Sequence, residues 1–279
     1  MDQDILASFP SREVFYNYLA SDELQDFNTY YDESLFGLVL ILRDFQTLDY
    51  DSKILEFGSG IGLIANYLAS LGFNVTSLEP AGQGFGMMSR LKNVVEAYYS
   101  AGQLTANNEN VRIEDYSSIL KFDYIYALNV LEHVDDELSA IGSAKGLLSG
   151  KGKMRLIAPN YAFPYEPHFN IPILFGKKFT HLIFRNKILK FPIYDSQGTW
   201  SSLNWVSSKK IARIAKKLDL KVSFSREGWN KYLNRIMIPG EFSKRKGPLL
   251  RALAPKATRI FDLIPIWLIP IIDATLTLE

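Results

Sequence analysis

The segment at positions 53–62 constrains the fold more than any other part of the chain. It reads KILEFGSGIG: a short apolar run, an acidic residue, and then Gly-x-Gly-x-Gly. The apolar run predicts a buried strand, the glycines predict a turn whose backbone comes close to a ligand, and positions 63–69 predict a helix. A second predicted strand, 74–79, ends in Glu79, whose carboxylate suits the two hydroxyls of a ribose. Together these features predict a nucleoside-binding α/β domain.

The glycine spacing separates two versions of such a domain. A dinucleotide site has Gly-x-Gly-x-x-Gly, but this chain has Leu63 at the last of those positions and its third glycine is Gly62. Glu56, just before the turn, would repel a pyrophosphate and suits a ligand that carries positive charge. This turn resembles that of the class I S-adenosylmethionine-dependent methyltransferases, in which it holds the amino-acid end of the cofactor.

Two later segments carry the same resemblance. Positions 122–136, FDYIYALNVLEHVDD, resemble the fourth strand and the "LEHV" turn of the small-molecule (type 11/12-like) branch of the family. Positions 145–158 resemble the helix end, glycine turn and fifth strand that follow. The resemblance is good over about residues 34–160 and loose elsewhere.

The resemblance implies an α/β fold with a Rossmann-like, seven-stranded, mostly parallel sheet and an antiparallel last strand. The alternation of apolar runs and helical patterns agrees with a parallel sheet. We expect strands near 53–57, 74–79, 111–114, 122–128 and 154–158, and helices near 63–71, 84–100 and 136–148. An N-terminal helical cap and insertions after strands five and six complete the expected fold.

Composition along the chain suggests boundaries for these parts. Residues 1–48 are expected to form the cap, 49–160 the cofactor-binding core, and 207–228 with 273–279 the remainder of the core. Residues 161–206 are expected to form a long irregular lid over the acceptor, since 159–169 is rich in proline and aromatic residues. Residues 229–272 are expected to form a second insertion, with basic residues at 244–246 and an apolar run at 260–272. That run either packs into the core or enters a membrane interface.

The resemblance also implies roles for particular residues. Glu56 would orient the ammonium group of S-adenosylmethionine, Glu79 would bind the ribose, and Asn129 would lie near the transferred methyl group. The backbone of the turn would border the cofactor at Gly58, Ser59, Gly60 and Gly62. A carboxylate after strand three would face the adenine amine; Asp115 is expected there, with Glu114 as the alternative.

Histidines are the candidates for a general base, because an oxygen or nitrogen acceptor loses a proton on methylation. His168 lies in the predicted lid, two residues after Glu166, and is the first candidate. His133 belongs to the LEHV turn and is the second candidate, although a structural role is the alternative. His181 lies in a basic aromatic stretch. Because these three histidines are scattered and the chain has no cysteine, the sequence gives little support to a metal site.

The net charge of +1 is the sum of an acidic N-terminal half and a basic C-terminal half. Residues 1–150 contain 8 Lys and Arg against 22 Asp and Glu, a net charge of −14, and residues 151–279 contain 23 against 8, a net charge of +15. A basic half indicates an anionic partner: a phosphate-bearing acceptor, nucleic acid or an anionic membrane surface. The alternative is that the two halves attract each other. The polar, acidic opening lacks the pattern of a secretory signal, so a cytoplasmic location is expected, with attachment to the inner membrane face left open.

These patterns predict methyl transfer, preferably to oxygen, on a small or lipid-linked acceptor such as an anionic sugar. One alternative is a nucleic-acid methyltransferase, favoured by the basic half but disfavoured by the lack of a base-flipping or RNA-binding motif. The other is a non-catalytic interaction protein of methyltransferase-like fold. The intact glycines and Glu79 argue against it.

Overall fold

The structure is a computed structural model that describes residues 2–80, 86–102, 105–191, 196–238, 242 and 262–279. The chain groups into two compact units. Unit 1 comprises Met1–Leu128, Leu138–Arg155 and Leu278; unit 2 comprises Asn129–Glu137, Leu156–Thr277 and Glu279. The five-part division drawn from the sequence stays a prediction.

Nine α-helices occur in the described residues. They are α1 Asp2–Ala7, α2 Leu24–Ile41, α3 Leu63–Ser70, α4 Gly86–Ser100, α5 Glu137–Leu147, α6 Lys177–Leu189, α7 Ser196–Ser202, α8 Ser208–Lys217 and α9 Glu227–Met237. Three 3₁₀ helices accompany them, at Arg12–Tyr18, Leu42–Thr47 and Ile266–Leu268.

Seven strands form the main sheet. They are β1 Lys53–Phe57, β2 Asn74–Leu78, β3 Asn107–Glu109, β4 Phe122–Leu128, β5 Leu148–Pro159, β8 Leu220–Phe224 and β9 Ile271–Leu278, in the order β3-β2-β1-β4-β5-β9-β8. The pairs β1–β2, β1–β4 and β2–β3 are parallel, and the last strand of the chain is antiparallel. The predicted Rossmann-like sheet is therefore confirmed.

The third strand lies at Asn107–Glu109, not near 111–114 as the sequence suggested. It is short and polar, and it ends the sheet beside β2. A strand at the edge of a sheet does not need apolar residues on both faces. For this reason the strand was not predicted from the apolar runs in the sequence.

The segment predicted as a long irregular lid is more regular than expected. A small antiparallel hairpin, β6 Tyr165–Glu166 with β7 Ile171–Pro172, is followed by α6 and α7. Prolines and aromatics do prevent regular structure before the hairpin, but α6 begins directly after Gly176. The helix was missed because its exposed positions include apolar Leu182 and Ile183, which obscure the usual amphipathic period.

The N-terminal helices of unit 1 pack on α4, beside the turn that follows β1. The ring of Phe15 lies 4.6 Å from that of Tyr98 between centroids, and Arg90 forms an ion pair with Glu23 at 3.3 Å. Since Phe15 is fully buried, these contacts fix the N-terminal segment against the cofactor half of the fold.

The described part of the C-terminal apolar run is divided between core and surface. Ile269 is fully buried in a cluster with Trp229, Leu233 and Ile236, whereas Leu263 is 87% and Trp267 is 44% exposed. Residues 244–246 and 260–261 lie outside the described residues. Within the part of the chain that the structure describes, no helix has the length and apolar character needed to cross a membrane.

Candidate functional site

The glycine turn after β1 has a backbone that only glycine adopts readily. Gly58, Gly60 and Gly62 have φ angles of 72°, 56° and 71°, all in the left-handed region. The amides of Gly58 and Ser59 donate hydrogen bonds to the carbonyl of Leu78, at 2.8 and 3.1 Å. The turn is therefore fastened to the end of β2 and leads directly into α3.

Glu79 follows β2 and closes the same turn. Its Oε2 accepts a hydrogen bond from the amide of Gly60 at 2.7 Å. Burial raises the pKa of Glu79 to about 7, although the Gly60 amide and the charge of Lys92 act in the opposite direction. The residue predicted to bind a ribose thus lies beside the turn predicted to hold the rest of the ligand.

Glu56, at the end of β1, is almost completely buried at 4% exposure. Its Oε2 and the hydroxyl of Ser59 have no hydrogen-bond partner among the described atoms. Burial raises the pKa of Glu56 to about 8, and the charge of Glu79 adds to the effect. A buried carboxyl of this kind is stabilised by a cationic ligand, because ionisation then no longer leaves an uncompensated charge.

A cavity of about 430 Å³ opens beside Glu79, within the range of small-molecule sites. Its lining includes Gly60, Glu79, Met88, Lys92, Asn108 and Asn110. Burial and the charges of Asp26 and Glu79 raise the pKa of Tyr30, which identifies a tyrosine of α2 close to this carboxylate. The cavity therefore extends from the glycine turn along α4 and β3.

Two predicted cofactor residues have less distinctive surroundings. Asp115 is exposed in the irregular segment after β3 and does not line the cavity. Asn129, directly after β4, has a φ of 55° and donates its amide to the carbonyl of Ile157 at 2.8 Å. Asn108 and Asn110 were not predicted from the sequence. Polar side chains in, or directly after, a short edge strand form no recognisable pattern.

A second group of side chains lies within unit 2. Nδ1 of His168 lies 2.7 Å from Oε1 of Glu166, which is fully buried. The other oxygen of Glu166 accepts the amide of Phe169 at 2.7 Å. Burial acts to raise the pKa of Glu166, but His168 and these amides outweigh it and hold the pKa below its usual value. An ionised Glu166 requires that Nδ1 of His168 carries the proton, so the imidazole lone pair is on Nε2.

The LEHV turn brings Glu132 and His133 to the same place. The rings of His133 and His168 are 5.4 Å apart between centroids and nearly perpendicular. Glu132 is fully buried, and burial raises its pKa to about 7 against the opposing charge of His168. Desolvation and the charge of His168 lower the pKa of His133 to about 4, although the residue as a whole is exposed.

Residues distant in sequence hold this turn in place. The amide of Asn204 donates to the carbonyl of Glu132 at 2.5 Å, and its side-chain nitrogen donates to the carbonyl of Val134. Lys210 forms an ion pair with the buried Glu137 at 2.6 Å. The sequence reasoning singled out neither Asn204 nor Glu132, because their significance depends on tertiary contacts.

Aromatic side chains lie beside the cluster. Tyr161 stacks on Trp205 with 5.6 Å between ring centroids and 12° between planes, and its hydroxyl lies 3.3 Å from Glu166. His181, in contrast, packs on Trp200 in α7, with ring centroids 5.5 Å apart. Tyr161 thus contacts the carboxylate of the Glu166–His168 pair.

Comparison with known proteins decides the family. Residues 27–223 match a family model described as a methyltransferase domain. This chain belongs to the class I S-adenosylmethionine-dependent methyltransferases. The uncharacterized protein Rv1509 of Mycobacterium tuberculosis (strain ATCC 25618 / H37Rv) is 33% identical to this methyltransferase over 252 residues, covering 88% of this chain and 85% of the relative.

Other relatives match parts of the methyltransferase. A ubiquinone biosynthesis O-methyltransferase of Actinobacillus pleuropneumoniae is 32% identical over 109 residues, covering 37% of this chain and 44% of the relative. The structure of Haemonchus contortus phosphoethanolamine N-methyltransferase 2, with phosphomonomethylethanolamine and S-adenosylhomocysteine, superposes with a TM-score of 0.52 at 15% identity. It covers 86% of this chain, which spans about half of the Haemonchus enzyme. That likeness concerns the fold alone.

The residues of the methyltransferase fit its cofactor, S-adenosylmethionine. Left-handed Gly60 leaves room beside the backbone: among the described residues, an added Cβ would meet only Met88, at 3.8 Å. The unpartnered Oε2 of Glu56 is suited to the ammonium group, and Glu79 offers carboxylate oxygens to the ribose hydroxyls. The predicted family, enzyme class and cofactor are confirmed, whereas the roles of individual residues stay predictions.

Proposed function

We propose that the protein transfers the methyl group of S-adenosylmethionine to a hydroxyl oxygen of a small acceptor. The carbon–oxygen bond forms as the carbon–sulfur bond breaks, the sulfonium becomes a thioether, and the hydroxyl loses its proton. The observation that carries the proposal is the pairing of a left-handed glycine turn with the buried carboxylate of Glu79. Partial similarity to an O-methyltransferase supports oxygen as the acceptor atom.

We assign the removal of the hydroxyl proton to the cluster around His168, with His133 as the second catalytic residue. Glu166 fixes the ring of His168, which prepares one nitrogen for the acceptor. The chain topology supports this assignment. Strands β1 and β4 pair in parallel, and the cofactor turn and the LEHV turn follow the carboxyl ends of these two strands. Ligands of open α/β sheets bind at such ends.

The acceptor is proposed to be an anionic sugar, free or linked to a lipid. The stacked pair of Tyr161 and Trp205 provides the kind of flat aromatic surface on which sugar rings pack. The net charge of +15 over residues 151–279 suits phosphate or carboxylate groups on that sugar.

A lipid-linked acceptor would require contact with a membrane surface, and α6 has the composition for it. Its exposed side chains are both apolar and basic: Lys178, Phe179, Leu182, Ile183 and Arg185. Phe175, two residues before the helix, is also exposed. Apolar insertion and attraction to anionic lipids act together in such peripheral binding. Trp267, with Lys209 5.8 Å above its ring, is a second exposed site of mixed character.

Transfer of an isotopically labelled methyl group tests the proposed reaction. The purified full chain is incubated with labelled S-adenosylmethionine and with extracts separated into nucleic acid, protein, lipid-linked sugar and small anionic sugar. Label is expected in a sugar fraction, as an alkali-stable methyl ether. Label confined to nucleic acid, or the absence of cofactor binding, would overturn the proposal.

A further inference from the structure

We propose that Glu132, His133 and His168 form a binding site for a divalent transition-metal ion. One candidate ligand atom from each of these residues lies within 4.8 Å of the other two. The three residues come from the LEHV turn and from the hairpin after β5, both in unit 2. No motif in the sequence indicates this site, because His133 and His168 are 35 positions apart.

The donor set indicates the class of ion. Two imidazole nitrogens and one carboxylate oxygen suit Zn²⁺, Mn²⁺ or Fe²⁺, which accept mixed nitrogen and oxygen ligands. Mg²⁺ and Ca²⁺ prefer sites made of oxygen atoms. Three protein ligands also leave a coordination position open for water or a substrate oxygen, as in catalytic metal sites.

Glu166 orients the ring of His168 for metal binding. Glu166 accepts three hydrogen bonds in this loop: from Nδ1 and the amide of His168, and from the amide of Phe169. Its role is therefore to hold His168 rather than to bind the ion. A ligating histidine usually donates its other ring N–H to such a carboxylate, which fixes the tautomer and strengthens the ligand nitrogen.

His133 has an equivalent arrangement. Its Nδ1 lies 3.0 Å from the hydroxyl of Ser202, and that hydroxyl donates its single proton to the carbonyl of Thr199 at 3.0 Å. Towards His133, therefore, Ser202 acts as the acceptor and Nδ1 carries the proton. Both histidines then present Nε2 as the atom with the lone pair, which is the form that binds a metal.

The surroundings of Glu132 are a second, independent observation that points to a bound cation. Its side chain is fully buried, and neither carboxylate oxygen has a hydrogen-bond partner in the described part of the chain. Buried carboxylates are normally hydrogen-bonded, paired with a charge or bound to a metal. A cation at this position would satisfy Glu132 and neutralise the negative charge that Glu166 adds nearby.

Metal binding would require a small closure of the site. Bonds of about 2.0–2.1 Å place tetrahedral ligand atoms about 3.3 Å apart, so the separations here must shrink by up to about 1.5 Å. His133 is exposed and can move by side-chain rotation, while Asn204 and Glu166 hold the other parts in place. This inference deepens the proposed function: with the ion bound, Nε2 of His168 would be a ligand rather than a base, and the cluster would act on the acceptor through the ion. The open position would receive the acceptor hydroxyl, and coordination would lower the pKa of that hydroxyl so that its proton passes to solvent.

Direct binding to the metal-depleted full chain tests the site, with Co²⁺ as a spectroscopic probe and Zn²⁺ in competition with a chromophoric chelator. One ion per chain and a visible Co²⁺ band of a four- or five-coordinate nitrogen–oxygen site are expected. Glu166→Gln should weaken binding by about 10–100-fold, the usual effect of losing a residue that holds a ligand. Glu132→Gln and His168→Ala should weaken it further.

His181→Ala is the matched control, because it removes a histidine of the same unit outside the cluster and should leave binding unchanged. Circular dichroism and S-adenosylmethionine binding establish that each variant is folded. Absence of Co²⁺ binding at millimolar concentration, or equal affinity in wild type and Glu132→Gln, would overturn the site. Methyl transfer by metal-free protein at the full rate would remove the ion from catalysis but leave the proposed reaction intact.

Discussion

The buried carboxylate of Glu166 holds the imidazole of His168 with a 2.7 Å contact to Nδ1. This pair is formed within a three-residue stretch, yet its significance depends on the rest of unit 2. The LEHV turn brings Glu132 and His133 to it, and Asn204 holds that turn through the carbonyls of Glu132 and Val134. A local pair thereby becomes part of a polar cluster of the kind used in catalysis.

Glu79→Ala should weaken binding of S-adenosylmethionine and S-adenosylhomocysteine by about 1.5–3 kcal/mol, the range for hydrogen bonds to a charged group. The variant also leaves the amide of Gly60 without its acceptor. Calorimetry measures the loss, with Asp51→Ala, an exposed carboxylate of the same unit, as the control. NAD should not bind the wild type. Unchanged affinity in folded Glu79→Ala would remove Glu79 from the site.

Glu56 should make the cofactor-free protein less stable as pH rises. Its pKa is about 8 in the folded protein against an ordinary 4.5. Its contribution to the free energy of unfolding is therefore complete below pH 4.5 and is lost between pH 4.5 and 8, at about 1.4 kcal/mol per pH unit. Glu56→Gln should abolish this slope and be more stable than wild type at pH 8. Urea unfolding at pH 5 and pH 8 measures it; equal slopes would contradict the assignment.

Gly60→Ala should destabilise the fold and also weaken binding of the cofactor. A φ of 56° disfavours any side chain, and such strain costs about 1–3 kcal/mol. Gly146→Ala is the control, and the opposite effect on stability is expected. This glycine of α5 is exposed, and no atom of the described residues lies within 4 Å of an added Cβ. Alanine should stabilise that helix by about 0.5–1 kcal/mol. Thermal unfolding and calorimetry of both variants would reveal whether the turn tolerates a side chain.

His168→Ala should lower turnover far more than cofactor affinity, by roughly 10²–10⁴-fold, as expected when proton removal is lost. The cofactor residues of unit 1 are unaffected by the change, so binding of S-adenosylmethionine should persist. His181→Ala, a histidine outside the cluster, should retain turnover. If His133→Ala loses turnover while His168→Ala keeps it, the catalytic roles of the two histidines have been exchanged.

Anionic vesicles should bind the protein in a salt-dependent manner if α6 faces lipid. Leu182→Ser combined with Ile183→Ser removes two exposed apolar groups and should reduce co-sedimentation. Trp267→Ser and replacement of the basic residues at 244–246 by Gln should reduce it further. Ile119→Ser, a change at a 97% exposed position of unit 1, is the control. Failure to sediment with anionic lipid at low salt would leave a soluble anionic acceptor as the explanation of the basic half.

The sheet, the family and the cofactor were all predictable from the amino-acid sequence. These follow from local patterns: an apolar run, glycines that permit positive φ, and a carboxylate at the end of the next strand. All of these signals lie within residues 53–79, so their meaning does not depend on distant contacts. The same reasoning failed for β3 and α6, where a polar edge strand and an apolar exposed helix face depart from the usual periodicities.

The composition of the second site follows from folding and not from local sequence patterns. Glu132 and His133 are neighbours in sequence, but a helix, a strand and a loop separate them from His168, and nothing in this spacing indicates that the three residues meet. Nor does the sequence show that Glu132 is buried without a hydrogen-bond partner among the described residues, because burial depends on everything packed around a side chain. The cofactor turn consists of consecutive residues and can be recognised in the sequence. The histidine–carboxylate cluster forms only when the chain folds.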